Sequence, residues 1–282
     1  MPKILTPAQV REYEEEGATH PIRVITAEEA GACLSRIEAG EAADRVAFKK
    51  VLRTKAHLAL KWVCDLVNHP KVLDAVEDVI GPDILLYNLS VWSKDANDTA
   101  FVGWHQDSTY FPLDPPVQVT AWIALTDSVE ENGNVKYIPG SHRFEQLRHT
   151  EDPGSGSLLS KGQHIATPFD TSNVKSISLQ PGEMSLHHTR LIHYSEPNRS
   201  NRRRIGLGIS YIPASVRCTG TVRHTAMLVR GTDRYNYFDH EPFVTRDCDP
   251  AVEPFRADAV LRYNQARDEQ VALKAKANAA AG

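Results

Sequence analysis

The sequence predicts a mainly β protein with flanking helices, folded as a double-stranded β-helix, also called a jelly roll. The first 82 residues carry apolar stripes at helical spacing. From Ile84 onward the chain changes to short alternating runs broken by Gly, Pro, Asn and Asp, which is typical of strands joined by turns. We expect a single domain over residues 1–282, with a helical support (1–82), a β-helix core (83–212) and a C-terminal extension (213–282).

Four helices are predicted in the N-terminal support. Thr6 and Thr26 each stand three residues before a Gln or Glu, the capping-box pattern of a helix start, so a helix should follow each of them. A third helix is predicted over residues 55–67. A fourth is predicted over 70–80 and should end at Gly81, because glycine is the residue that most often terminates helices. These helices would brace one face of a sheet.

Five strands are predicted in the core, at residues 84–92, 117–125, 135–138, 183–188 and 204–212. In the first of them, alternation places Asn88 on a polar face that could line a cavity. In the last, Arg204 shares its face with Gly206 and Gly208. The two glycines leave room for a ligand, and the guanidinium of Arg204 can donate two hydrogen bonds to a carboxylate of that ligand.

Two histidines and one carboxylate occur in the order that a non-haem iron(II) centre requires. His105 and Asp107 are two residues apart, which on a strand places both side chains on one face, and His193 follows 88 residues after His105. Two neutral imidazoles and one carboxylate occupy one face of an octahedral iron(II) ion and leave three positions for other ligands. We predict that these three residues bind the metal and form the catalytic centre.

Two other histidines, His187 and His188, compete with His193 for the distal position. Of these three, only His193 is followed both by a serine two residues later and by an arginine eleven residues later, Arg204. We therefore interpret His187 or His188 as a pocket residue that hydrogen-bonds near the ligands. His142 lies in a Pro-Gly-Ser turn and is interpreted as structural.

Motifs spread over most of the chain point to one protein family. They are Trp104-His105-Gln106-Asp107, Ala121-Trp122-Ile123-Ala124-Leu125, Glu131-Asn132-Gly133-Asn134 followed by Ile138-Pro139-Gly140-Ser141-His142, and Pro181-Gly182-Glu183. With them, residues 5–245 resemble the phytanoyl-CoA dioxygenase family of iron(II)/2-oxoglutarate-dependent oxygenases. The resemblance implies a cupin-like jelly roll, the cofactors Fe(II) and 2-oxoglutarate, and iron ligands at His105, Asp107 and His193.

The resemblance also implies how the cosubstrate is held. Arg204 would bind the distal carboxylate of 2-oxoglutarate with the help of Ser195, and Asn88 is a further candidate. Trp122 by itself could be a core aromatic, but the resemblance favours a wall of the same pocket. Family members often have His-Gly-Ser at the distal site, so Tyr194 should reshape this part of the pocket.

The implied reaction is hydroxylation of a C–H bond of a small anionic metabolite by dioxygen, with release of succinate and CO2. Related halogenases have a small residue in place of the carboxylate ligand, so Asp107 favours hydroxylation. The pattern looks closer to bacterial members that act on small molecules, such as aminoalkylphosphonate hydroxylases, than to members that act on acyl-CoA. Two other readings remain open: a non-catalytic metal-binding jelly-roll sensor, and a zinc-dependent cupin-like enzyme.

Composition limits the other partners. The net charge is -4, the pI is near 6.3 and the sequence has no block of basic residues. It therefore lacks the positive patch that is typical of nucleic-acid-binding proteins. The N-terminus has no apolar signal-peptide core and the chain has no run of about 18 apolar residues, so we expect a cytoplasmic protein that binds no membrane. The four cysteines lie far apart and are predicted to be free thiols.

Several further residues are candidates outside these motifs. Lys55 and His57 could contact a negative group of the substrate. Residues 213–255 are either a lid over the active-site mouth or a solvated, partly helical extension. The alanine-rich tail at 271–277 is expected to be a surface helix without chemistry.

Overall fold

The computed structural model describes residues 2–280, with side chains through residue 273. It is a jelly roll of two facing sheets, with helices packed on the larger one. The α-helices are α1 (Pro7–Glu16), α2 (Ala27–Arg53), α3 (Lys61–Val67), α4 (Pro70–Ile80) and α5 (Glu253–Ala280). The strands are β1 (Ala18–Arg23), β2 (Ile84–Lys94), β3 (Val102–His105), β4 (Leu113–Asp114), β5 (Val119–Ala124), β6 (Val135–Tyr137), β7 (His149–Thr150), β8 (His164–Ile165), β9 (Lys175–Ile177), β10 (Glu183–His188), β11 (His193–Ser195), β12 (Arg204–Pro213), β13 (Arg217–Cys218), β14 (Thr225–Arg230) and β15 (Asp239–His240).

The N-terminal helices begin and end where the sequence predicts. Thr6 and Thr26 both form complete capping boxes, and α4 ends at Gly81, which has φ +87°. The predicted third helix is divided, because Leu60 is extended and separates a 3₁₀ turn at Ala56–Leu58 from α3. Helix α2 is bent at Asp44, whose backbone is non-helical.

The larger sheet has the strand order β1-β10-β5-β12-β2-β14-β15, and the smaller one has the order β3-β11-β6-β9. Neighbouring strands are antiparallel except β14 and β15. The five predicted strands are present, each within two residues of its predicted bounds. Strand β1 was not predicted, because Pro21 interrupts its pattern. It pairs only with β10, at the sheet edge where a strand tolerates proline.

Strand β12 connects the core to the site. Its residues Ile205, Leu207, Ile209 and Tyr211 belong to the main hydrophobic core, formed between the large sheet and helices α1 to α4. Because successive side chains of a strand point to opposite faces, Arg204 and Ser210 face the interior between the two sheets. The apolar core therefore fixes which residues enter that interior.

The segment after β12 is built into the fold. Strand β14 extends the large sheet next to β2, and β13 pairs with β4. Helix α5 packs against β14. Within the described residues, none of the helices combines the length and apolar character needed to span a bilayer. The four cysteines are free, as predicted.

Lys55 and His57 do not reach a substrate pocket, in contrast to the sequence-based suggestion. Both are fully buried on Glu241, with Lys55 Nζ 2.5 Å from Oε1 and His57 Nε2 2.6 Å from Oε2. Thr225 Oγ1 also donates to Glu241 Oε1, at 2.6 Å. Burial raises the pKa of Glu241, but the charges and hydrogen bonds of Lys55 and His57 outweigh it and lower that pKa to about 2. The network ties the N-terminal helical support to the segment after β14.

Replacing Glu241 by Gln should lower the free energy of unfolding by about 3 kcal/mol, because removing one partner leaves the other charge buried without compensation. Urea denaturation measures this change, and Glu38→Gln, at an exposed position of α2, is the matched control.

The ion-pair interpretation also predicts how the stability of the Glu241→Gln variant depends on pH. A folded pKa of about 2 lies below the value of about 4.3 in an unfolded chain, so the stabilisation by Glu241 is present above the unfolded pKa and is lost as the pH falls through the folded pKa. The stability difference between wild type and Glu241→Gln should therefore shrink between pH 6 and pH 3. A difference that stays constant over this range would contradict the ion-pair interpretation.

Candidate active site

A cavity of about 160 Å³ lies between the two sheets and contains the candidate catalytic residues. Strands β2, β3, β5, β10, β11 and β12 contribute to its wall, so it is formed inside the jelly roll. Every site residue predicted from the sequence lines it, namely His105, Asp107, His193, Arg204, Ser195, Trp122 and Asn88.

The three predicted metal ligands come together at one point of this cavity. One ligand atom each of His105, Asp107 and His193 lies within 4.8 Å of the others. Asp107 Oδ1 is 3.4 Å from His105 Nε2 and 3.9 Å from His193 Nε2. His105 and His193 are register partners on β3 and β11, which places their ring centroids 4.1 Å apart.

Asp107 does not lie on the strand that carries His105, so this detail of the sequence prediction is wrong. Strand β3 ends at His105, and Asp107 begins a 3₁₀ turn that is closed by the bond from Tyr110 N to Asp107 O, 2.9 Å. Gln106 between them is extended, with φ -116° and ψ 131°. The side chain of Asp107 therefore returns to the same side as that of His105, as it would on a strand.

The backbone sets the protonation of both imidazoles. His105 Nδ1 is 2.9 Å from Gly103 O, and His193 Nδ1 is 2.9 Å from Leu191 O. A carbonyl oxygen only accepts hydrogen bonds, so each Nδ1 carries the proton and each Nε2 offers a lone pair. Burial, together with the nearby His105, lowers the pKa of His193 to about 3, which keeps this imidazole neutral. Neutral imidazole is the form that binds a metal.

Asp107 is held by polar neighbours on its second oxygen. Thr120 Oγ1 donates to Asp107 Oδ2 at 2.8 Å and accepts from Gln118 Nε2 at 2.7 Å. His187 Nε2 lies 3.7 Å from the same oxygen. Burial raises the pKa of Asp107, but the surrounding imidazoles of His105, His187 and His193 outweigh it and hold the pKa well below its usual value. The donor set therefore consists of one carboxylate and two neutral imidazoles, which suits iron(II).

Only one of the two competing histidines belongs to the site. His187 lines the cavity beside Asp107. His188, the next residue of the strand, points to the opposite face, where its ring packs on His142 at 5.5 Å and its Nδ1 accepts from Arg190 N. His142 contacts the backbone of α1 through Glu14 O at 3.2 Å, in agreement with a structural role.

Arg204 is a buried cation on the cavity wall, with 2% of its surface exposed. Its Nη1 donates to Gly133 O and its guanidinium carbon lies 5.0 Å from the ring centroid of Trp122. Its Nε has no hydrogen-bond partner, and Arg204 forms no ion pair within the described residues. Burial lowers its pKa to about 10, so it stays charged at neutral pH. Such a group suits a bound carboxylate, which offers charge and hydrogen-bond acceptors together.

The space beside Gly206 and Gly208 is filled by other side chains of the protein. This corrects the prediction that the two glycines leave room for a ligand. A Cβ atom on Gly206 would lie 2.6 Å from Trp122 Cζ2, and one on Gly208 would lie 3.1 Å from Trp92 Nε1. The two indoles fill these positions and themselves line the cavity. Trp122 is therefore a wall of the pocket and also the surface on which Arg204 rests.

Lys94 is a buried cation of the site that was not predicted. Its Nζ donates to Ser195 Oγ and to Glu196 O, and Ser195 Oγ in turn donates to Gly133 O at 2.9 Å. Burial and the charge of Arg204, its register partner, lower the pKa of Lys94 to about 7. The alternation that places Asn88 on a polar face continues to Lys94, so the sequence contained a signal for it.

The wall also includes residues far from any motif. Arg53 enters from the end of α2, and Tyr263 and Arg267 enter from α5, within the C-terminal extension. No residue of 213–255 is among those that line the cavity, whereas Tyr263 and Arg267 of α5 are. The residue that departs from the family pattern, Tyr194, packs on Trp104 with ring centroids 3.8 Å apart.

Comparison with known proteins agrees with this arrangement. The family model described as phytanoyl-CoA dioxygenase matches residues 1–206. A probable alpha-ketoglutarate-dependent hypophosphite dioxygenase of Stutzerimonas stutzeri is 28% identical over 224 residues, covering 73% of this chain and 78% of that protein. An L-proline trans-4-hydroxylase of Streptomyces griseoviridis is 28% identical over 211 residues, covering 68% and 72%.

Solved structures show the same fold. A structure described as the non-heme monooxygenase ThoJ, in its apo form, has a TM-score of 0.84 and 29% identity, covering 93% of this chain and 98% of that one. A nickel complex of ThoJ has a TM-score of 0.79 and 28% identity, covering 93% and 100%. The match over residues 1–206 and the buried His-Asp-His cluster lead to one conclusion: the chain belongs to the phytanoyl-CoA dioxygenase family of iron(II)/2-oxoglutarate-dependent oxygenases.

Proposed function

We propose that the protein hydroxylates a C–H bond of a small anionic metabolite and converts 2-oxoglutarate and dioxygen to succinate and CO2. One observation carries the proposal: the cavity that holds the His105, Asp107 and His193 cluster also holds Arg204, a buried cation with no carboxylate partner in the described chain. A metal site alone would suit many enzymes. A metal site beside such an arginine suits a 2-oxo acid with a second carboxylate.

Each residue has a task in this proposal. His105, Asp107 and His193 would hold iron(II), which when bound supplies the activation of dioxygen. Arg204 would bind the distal carboxylate of 2-oxoglutarate, with the Ser195 hydroxyl beside it. Thr120 and Gln118 fix the carboxylate of Asp107, and the carbonyl groups of residues 103 and 191 fix the two imidazoles. The chain therefore orients every donor before a cofactor arrives.

The cavity wall supports a small anionic substrate. Its charged residues are three arginines and one carboxylate, and the carboxylate is the metal ligand Asp107. Two relatives are named for hypophosphite and proline, which are small charged molecules. Aminoalkylphosphonates combine small size with an anionic group, and we propose them as the first substrate class to test.

Titrating the iron(II)-loaded protein with 2-oxoglutarate without oxygen should produce a weak visible charge-transfer band, because the 2-oxo acid chelates the metal.

Asp107→Ala should abolish substrate-dependent succinate formation, since it removes the only carboxylate of the donor set. Asp127→Ala, at an exposed ion pair with Arg202, is the matched control and should retain the band and the activity. Absence of the band in the wild type would favour the sensor or the zinc enzyme, and full activity of Asp107→Ala would place the carboxylate ligand elsewhere.

Replacing Arg204 by Gln should raise the 2-oxoglutarate concentration needed for half-maximal turnover by about ten- to a hundredfold, because a hydrogen bond to a charged group contributes roughly 1.5–3 kcal/mol. Iron binding should change little, since Arg204 is not part of the donor set. Arg202→Gln removes an exposed arginine two residues away and serves as control. Equal 2-oxoglutarate requirements in wild type and Arg204→Gln would argue against this role of Arg204.

A further inference from the structure

Two arginines line the cavity and take no part in binding the metal or 2-oxoglutarate in the proposed function. Arg53 is the last residue of α2, and Arg267 lies on α5. Arg267 is beyond residues 1–206, the part of the chain matched by the family model. Family membership therefore gives this residue no task, and its placement has to be explained from the structure of this chain.

Arg53 is held in place at the cavity wall without an ion pair. Its backbone carbonyl accepts a hydrogen bond from Ser90 Oγ at 2.7 Å, which joins the end of α2 to strand β2. Its Nη2 donates to Leu158 O at 2.8 Å, and its guanidinium carbon lies 5.7 Å from the ring centroid of Trp92. No carboxylate in the described part of the chain forms a salt bridge with it. Its charge is therefore fixed in position and is not neutralised by a partner.

Arg267 reaches the cavity from the opposite end of the sequence. It follows Tyr263 by four residues, so both side chains lie on one face of α5. Tyr263 is buried, with its ring 6.0 Å from that of Tyr87, which anchors this face of the helix. Among the described residues, the carboxylate that pairs with Arg267 is its neighbour Asp268, at 3.0 Å and with 53% of its side chain exposed. Exposed pairs of this kind contribute little, so Arg267 keeps most of its charge available.

The two arginines line the same cavity. Burial lowers the pKa of Arg53, and the positive charge of Arg267 lowers it further. Two cations at one wall repel each other, and an anion between them would remove that repulsion.

The other charges of the cavity balance one another and leave the positive charges of Arg53 and Arg267 without a counter-charge. With iron(II) and 2-oxoglutarate bound, the two positive charges of the metal and that of Arg204 balance the negative charges of Asp107 and of the dicarboxylate. The two imidazole ligands add no charge to this balance, because each bonds a backbone carbonyl through Nδ1 and offers the lone pair of Nε2 to the metal. Arg53 and Arg267 are then the only charged side chains of the wall that remain without a counter-charge inside the cavity.

We propose that Arg53 and Arg267 together bind the anionic group of the substrate, and that this group is a phosphonate or phosphate. This inference rests on the proposed function, because it assigns the substrate end of the same cavity. Each guanidinium group can donate two parallel N–H hydrogen bonds. Two such groups from separate elements therefore suit a tetrahedral oxyanion, which has several acceptor oxygens, better than they suit a single carboxylate. Because Arg267 lies on α5, the C-terminal helix would contribute to substrate specificity.

The test measures binding and turnover separately. Protein loaded with iron(II) and 2-oxoglutarate without oxygen is titrated by calorimetry with methylphosphonate, inorganic phosphate and acetate. The wild type should bind the first two more tightly than acetate. Arg53→Gln and Arg267→Gln should each weaken methylphosphonate binding by about tenfold or more, since each removes a charge-assisted fork. Arg53→Lys should recover part of the affinity, because it restores the charge without the fork.

Two variants on the same helices serve as controls. Arg36→Gln changes an exposed residue of α2, and Arg262→Gln changes a residue of α5 that pairs with Asp239 and Asp258. Neither residue lines the cavity, so both variants should bind methylphosphonate as the wild type does.

Turnover gives the second readout. With 2-aminoethylphosphonate as substrate, Arg53→Gln and Arg267→Gln should raise KM by a similar factor, and the charge-transfer band with 2-oxoglutarate should be unchanged. Equal methylphosphonate affinity in wild type and both variants would overturn the proposal, as would preference for acetate. Loss of the band in the wild type would instead overturn the proposed function, so the two failures are distinguishable.

Discussion

Strand β12 lies in the middle of the large sheet, paired with β2 on one side and β5 on the other, and its two faces have different surroundings. One face is buried in the main apolar core, and the other carries Arg204 to the cavity. A shift of the register by one residue would exchange the two faces, so the apolar packing also fixes the place of the buried cation. Trp122 and Trp92 fit against this strand because positions 206 and 208 are glycines. The position of the cavity wall thus follows from one alternating sequence.

The buried charges of this protein fall into two groups. Lys55 and Glu241 neutralise one another in the support of the fold, 2.5 Å apart. Arg204 and Lys94 are buried side by side and are bonded to carbonyl and hydroxyl oxygens but to no carboxylate of the described chain. Burying unpaired charge is unfavourable, so natural chains retain it where a ligand supplies the opposite charge. This contrast supports the proposal that a bound anion pairs with Arg204.

The cavity is arranged from the metal cluster outward. His105, Asp107 and His193 are fixed by backbone carbonyls and by Thr120, all within the jelly roll. The outer wall is made by elements from both ends of the chain, the end of α2 and helix α5. Separate elements therefore form the metal cluster and the outer wall, and a site of this kind can change its outer wall without changing its metal ligands. The pair of outer arginines is consistent with that division.

The sequence alone determined the helix starts at Thr6 and Thr26, the five core strands and the set of residues to examine, His105, Asp107, His193 and Arg204. Capping and alternation are local properties, and motif spacing is visible in one dimension. Only the tertiary structure brought Arg53 and one face of α5 to the cavity, and only it assigned Lys55 and His57 to Glu241. Contacts between residues far apart in the chain depend on how the sheets and helices pack, and no local pattern encodes them.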